Sequence, residues 1–132
     1  MPEKLLIVDL DNHDDPRGFS FAIPQQALDF VGQIADLLVA SIAPGTVRVN
    51  HYHLSKRQAN VILPGSAWSL HWDDGEGTAT QHRTFDGATA VLVLVPPGAS
   101  QAVRNNGEEQ LWLIISSSET YDPSKVVARK VI

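Results

Sequence analysis

Short apolar runs alternate with turn-forming residues along the whole chain. The breakers are Pro16-Arg17-Gly18, Pro44-Gly45, Pro64-Gly65, Asp74-Gly75, Asp86-Gly87, Pro96-Pro97-Gly98 and Asn106-Gly107, spaced about ten residues apart over much of the chain. The runs between them are rich in Val, Ile, Leu and Trp, and several alternate apolar with polar. That pattern predicts strands at Lys4–Asp9, Phe19–Ile23, Val47–His53, Asn60–Leu63, Ala67–Trp72, Ala79–Thr84, Ala90–Val95, Gln101–Val103 and Gln110–Ile115. Asn106-Gly107 reads as a tight type I′ hairpin turn, because both residues tolerate positive φ. The stretch Gln25–Ile42 carries apolar residues at helical spacing and supports two readings. It forms either one helix of about five turns, or a short helix ending at Phe30, with Gly32 as the stop, followed by a strand Ile34–Ile42. The second is favoured. In the tail, Asp122-Pro123-Ser124 predicts a helical first turn, continuing as a short helix or an edge strand. Many short strands with regular turns indicate an all-β sandwich or barrel.

Composition narrows the function. With 132 residues the chain is read as one domain, with a core barrel at about 34–116 onto which the N-terminal strands and C-terminal tail pack. It has no cysteine, which excludes disulfides, zinc–thiolate sites and thiol nucleophiles. A net charge of −5 without a basic cluster argues against nucleic acid as a partner. No apolar stretch reaches the length of a membrane span, and the N-terminus lacks a signal-peptide core, so a soluble cytoplasmic protein is expected.

The chemistry concentrates in Gly45–Gly65. Residues i and i+2 of a strand share a face, so His51 and His53 project two imidazoles to one side and Tyr52 to the other. Two such imidazoles can hold one divalent ion. Gln58 has the wrong parity to join them along one straight strand, so Leu54-Ser55-Lys56-Arg57 must bend or turn the chain to bring it back. The run of glycine, five residues, His-x-His, four residues, a polar side chain, six residues and glycine resembles the first motif of the cupin superfamily. Gln58 stands where that family has glutamate. Pro96-Pro97-Gly98-Ala-Ser-Gln101-Ala-Val-Arg-Asn105 resembles the second cupin motif, with Gln101 in place of its histidine.

A looser resemblance covers most of the chain. Asp15-Pro-Arg-Gly-Phe-Ser-Phe is similar to the opening of sugar-nucleotide cupins. These include the dTDP-4-dehydrorhamnose 3,5-epimerases and the C-terminal cupin domain of capsular-polysaccharide nucleotide-sugar enzymes. Pro44-Gly45 leading into Arg48-Val-Asn-His51-Tyr-His53, and Tyr121-Asp122-Pro123 near the end, also match.

The resemblance implies an RmlC-like jelly roll, a double-stranded β-helix, whose barrel pocket contains His51, His53, Gln58 and Gln101. By position these four become the metal ligands, for zinc, nickel, manganese or iron. Two carboxamides in place of a carboxylate and a histidine imply a metal site of low occupancy or none. As an epimerase or isomerase, the chain would use His51 as the base, with Tyr121 or Tyr52 as the candidate acid. Gln58, Gln101, Arg48 and His71 are the candidate substrate-binding residues. Arg48 would clamp a phosphate. His71 is read as a half-exposed strand residue, or alternatively as a further pocket base. The alternative function is a non-catalytic small-molecule or sugar-binding cupin. A metal-dependent enzyme of another class is third. The partners implied are a small-molecule or sugar-nucleotide ligand and a second copy of the chain, as a homodimer.

Overall fold

A computed structural model describes residues 3–132. The elements in chain order are β1 (Leu6–Asp9), α1 (Gln25–Val31), β2 (Asp36–Ile42), β3 (Val47–His53), β4 (Gln58–Ile62) and β5 (Trp68–Trp72). They continue with β6 (Gln81–Phe85), β7 (Val91–Val95), β8 (Gln101–Asn105), β9 (Leu111–Ser117), a 3₁₀ turn (Pro123–Lys125) and β10 (Val126–Ala128). Two five-stranded antiparallel sheets are ordered β1-β7-β4-β9-β2 and β10-β3-β8-β5-β6. This is the cupin jelly roll, all-β with one short helix.

Alternation decides which side chains meet. In the first sheet Ile42, Ile62, Val91, Val93, Leu111 and Leu113 point inward, where Trp68, Leu70 and Val103 of the second sheet join them in one core. The intervening residues Ala59, Val61, Leu92 and Leu94 point outward and are covered by Ala27 and Val31 of α1. A strand buried on both faces shows no polar alternation, which is why Val91–Val95 reads as a continuous apolar run. Gln25–Ile42 therefore resolves as a helix plus a strand. Gly32, at φ +74°, ends the helix in a conformation only glycine takes readily.

Two sequence expectations are corrected. Phe19–Ile23 forms no strand; Phe21 packs against the outer cluster while Phe19 and Ile23 are half exposed. Asn106-Gly107 is not a type I′ hairpin. β8 and β9 belong to different sheets, neither residue has positive φ, and the turn crosses between the layers. Glycine is required at 107 because a Cβ there would collide with the Ser66 hydroxyl and crowd the Ala67 amide. The tail resolves as an edge strand: β10 pairs with β3, placing Ala128 opposite His51 and Val126 opposite His53.

Candidate functional site

Between the sheets lies a cavity of about 600 Å³, within the range of small-ligand sites. Its walls come from β2, β4 and β9 of one sheet and from β3 and β8 of the other. His51 and His53 both face it, their ring centroids 5.0 Å apart and the planes nearly perpendicular. Gln101 pairs directly with His51 across β3 and β8 and lines the same space. Gln58 enters because the chain turns at residues 54–57 and begins β4 in the opposite sheet, so strand parity with the histidines no longer applies. Its Nε2 donates to Ser117 Oγ at 3.3 Å. The four motif positions thus share one cavity.

The histidines are aimed by an irregular backbone. β3 carries a bulge between Val49 and His51, and Val49 and Asn50 have φ of +90° and +59°. Asparagine tolerates this region; a β-branched valine there is strained. The C-terminal segment holds the bulge in place. Arg129 N donates to Asn50 O at 3.2 Å, and Val131 N donates to Asn50 Oδ1 at 3.0 Å. Arg129 is in turn fixed by both oxygens of the buried Asp73, at 2.6 and 2.8 Å, and by Gly98 O.

Both imidazoles are held toward the neutral form. Burial pushes His51 down, with a contribution from the Lys56 charge, against an opposing hydrogen bond with the Val49 backbone. Burial also pushes His53 down to about 4, helped by His51 and Lys56 and opposed by Glu119.

The other sequence candidates are distributed as follows. Arg48 lines the cavity but is exposed, and its Nε donates to Ser41 O at 2.6 Å. Tyr121 is on the lining and 69% exposed, so its ring sits at the rim. Tyr52 points away from the cavity, as parity requires, with Arg129 over its ring at 4.2 Å. His71 is not in the cavity, which corrects its candidacy as a substrate ligand. It lies on the outer face of the second sheet, stacked on His82 at 5.6 Å and within 3.0 Å of Ser69 Oγ. The side chain of Asp15 pairs with Arg17 in an exposed loop outside the cavity lining.

Sequence reasoning missed Asn60 and Lys56. Asn60 faces inward two residues after Gln58 on β4, and starting the strand at Gln58 rather than Asn60 would have exposed that shared parity. Its Oδ1 and the Oε1 of Gln101 are buried and accept no hydrogen bond from the protein. Lys56, in the connecting loop, is buried and lines the cavity.

These residues do not fit a resident divalent cation. Among the described residues no cluster of three or more His, Cys, Asp or Glu side chains converges anywhere. Here two imidazoles and three neutral carboxamides share the cavity with an ammonium whose charge opposes a cation. An oxygen-activating iron site would also lack its carboxylate.

The fold and cavity define the class: an RmlC-like cupin jelly roll whose largely apolar pocket between the sheets carries a cluster of polar side chains. The polysaccharide biosynthesis C-terminal domain matches residues 13–127, and the chain belongs to that family. Spore coat polysaccharide biosynthesis protein SpsL of Bacillus subtilis (strain 168) is 22% identical over 126 residues, covering 92% of this chain and 83% of that protein. Among solved structures, NovW, a 4-keto-6-deoxy sugar epimerase from the novobiocin biosynthetic gene cluster of Streptomyces spheroides, superimposes with a TM-score of 0.75. It is 18% identical, over 95% of this chain and 68% of that one. ChmJ, a 3′-monoepimerase from Streptomyces bikiniensis in complex with dTDP-quinovose, gives 0.77 at 19% identity over 95% and 69%. The 3,4-ketoisomerase QdtA from Thermoanaerobacterium thermosaccharolyticum, in complex with TDP-4-keto-6-deoxyglucose, gives 0.69 at 15% identity over 96% and 88%. At these identities the structural likeness establishes the fold.

Proposed function

We propose that the chain binds the sugar of a nucleotide sugar in this cavity and shifts a proton on a carbon next to its ketone, as an epimerase or isomerase of polysaccharide precursor synthesis. The observation that carries the reading is the convergence of His51 and His53 with three carboxamides, two of them with buried carbonyl oxygens awaiting a donor. Sugar hydroxyls supply such donors, and an unsatisfied buried acceptor costs about 1–3 kcal/mol. His51, held neutral, is the base. Its ring nitrogen takes the proton α to the ketone, leaving an enolate, and a proton returned to the same carbon from the opposite face inverts it. Tyr121, on the lining at the rim, is the candidate donor of that proton. Arg48, exposed on the lining, faces the phosphates. Homodimer formation belongs to the proposal and is supported by β2. It is an edge strand whose outward Leu37 and Val39 are 65% and 62% exposed.

One observation favours the second reading, a sugar-binding cupin without catalysis: the cavity lining places no carboxylate beside His51 to raise its basicity. Incubation with dTDP-4-keto-6-deoxyglucose in deuterated buffer separates the two. Deuterium appearing at the carbons flanking the ketone with the wild type, and lost in His51→Ala, supports the enzyme. Binding without exchange makes the protein a carrier or sensor of such sugars, and no binding of this ligand or of a nucleotide sugar bearing a carboxylate removes both readings.

A further inference from the structure

Resting on the sugar-nucleotide reading of the cavity, we infer that Lys56 is a specificity residue that recognises an acidic substituent on the sugar, a carboxylate, so that the substrate is a uronic-type sugar nucleotide. Lys56 is only 7% exposed and lines the cavity. Lysine is almost never buried unless paired. Yet among the described residues its ammonium has no ion pair and no hydrogen bond to the protein. The nearby Glu119 carboxylate feels the Lys56 charge but forms no ion pair with it; its Oε1 accepts from Ser55 Oγ at 2.9 Å and lies 3.5 Å from Lys125 Nζ. The Tyr121 ring, 5.9 Å from Nζ, offers a weak cation–π contact and no countercharge. Asp36 is the one carboxylate on the lining among the described residues, and it is exposed at the end of β2. The Lys56 ammonium is therefore open to the cavity and unpaired there, a site for a ligand's negative charge.

The ligand's charge can come from two places, a carboxylate on the sugar or the diphosphate that links it to the nucleoside. Burial separates them. The diphosphate must lead out of the cavity to the nucleoside, and the exposed Arg48 is placed for it. Lys56 is enclosed with His53, itself 8% exposed, and beside Gln58 at the start of β4. A hexose reaching this end brings its own substituents to the ammonium, and a carboxylate there forms a charge-assisted hydrogen bond.

The test uses UDP-glucuronate and UDP-glucose, a pair that differs only in a carboxylate against a hydroxymethyl group, titrated calorimetrically into the wild type, Lys56→Met and Lys56→Arg. The wild type is expected to prefer the glucuronate by about tenfold or more, the effect of one charge-assisted hydrogen bond in a buried site. Lys56→Met, which keeps the apolar stem, should abolish that preference; Lys56→Arg should retain most of it. Equal wild-type affinity for the two overturns the inference while leaving the sugar-nucleotide reading in place. Equal loss of both ligands in Lys56→Met assigns the residue to the diphosphate and also overturns it. Failure of both ligands to bind overturns the inference, and failure of dTDP-4-keto-6-deoxyglucose as well overturns the sugar-nucleotide reading with it. The wild-type comparison decides even if a variant fails to fold.

Discussion

Asn105 offers the sharpest test of how the barrel holds its shape. Its side chain is fully buried at the end of β8 and uses all four of its hydrogen-bonding valences. Nδ2 donates to Ile42 O at 2.8 Å and to Glu109 O at 2.7 Å. Oδ1 accepts from Ser66 Oγ at 2.7 Å and from Gly107 N at 3.0 Å. One amide thereby joins the end of β2, the crossover from β8 to β9 and the turn before β5. At a net of about 1 kcal/mol per bond, Asn105→Ala should cost about 4 kcal/mol, a large fraction of a domain's total of roughly 5–15 kcal/mol. Asn105→Asp should cost at least as much at neutral pH, because a buried carboxylate would face two carbonyl oxygens. The assay is urea unfolding followed by tryptophan fluorescence, to which the buried Trp68 contributes, with the slope compared between variants. Asn105 does not line the cavity, so ligand affinity of the folded fraction should be unchanged. A loss below about 1.5 kcal/mol for the alanine variant, with the slope unaltered, would show that water or neighbouring groups replace these bonds and would refute the reasoning.

Two further outcomes follow from the cavity. His53, with its folded pKa pushed down to about 4, takes up its proton in the unfolded chain near 6.5. The unfolded state therefore binds more protons between those values, and stability should fall as pH drops from 6.5 towards 4, by up to about 3 kcal/mol. His53→Gln should flatten this loss, and an imidazole NMR titration of His53 with a midpoint near 6 would contradict it. Elemental mass spectrometry of untagged protein purified without added metal should find well below one equivalent of zinc, nickel, manganese or iron per chain. Near one equivalent, lost in a His51→Ala, His53→Ala variant, would overturn the argument from the donor set.

How far the sequence reveals the molecule depends on which constraint each residue answers to. Strand positions were legible where burial imposes parity. His51–His53, beyond the bulge in β3, and the inner residues of Ala67–Trp72 follow it, and so His51 and His53 could be paired on one face. Phe19–Ile23 mimics the same alternation, but its aromatic rings are spent on each other and on the helix-side cluster rather than on a ladder. Gln58 and Gln101 were legible only through motif spacing, because they reach the cavity from the opposite sheet and from a neighbouring strand, respectively. Spacing records where the backbone returns a position to the site and leaves the residues between such positions undefined. Lys56 lies within the four-residue spacer between His53 and Gln58, and Asn60 lies just beyond it. That spacer is the link by which the chain leaves one sheet and enters the other, so it passes the end of the cavity whatever its composition. A lysine in it lowers the proton affinity of both imidazoles, and by the inference drawn above it selects a ligand with a negative charge. Specificity in this fold can therefore be rewritten at a position the motif treats as interchangeable, with every motif residue left in place.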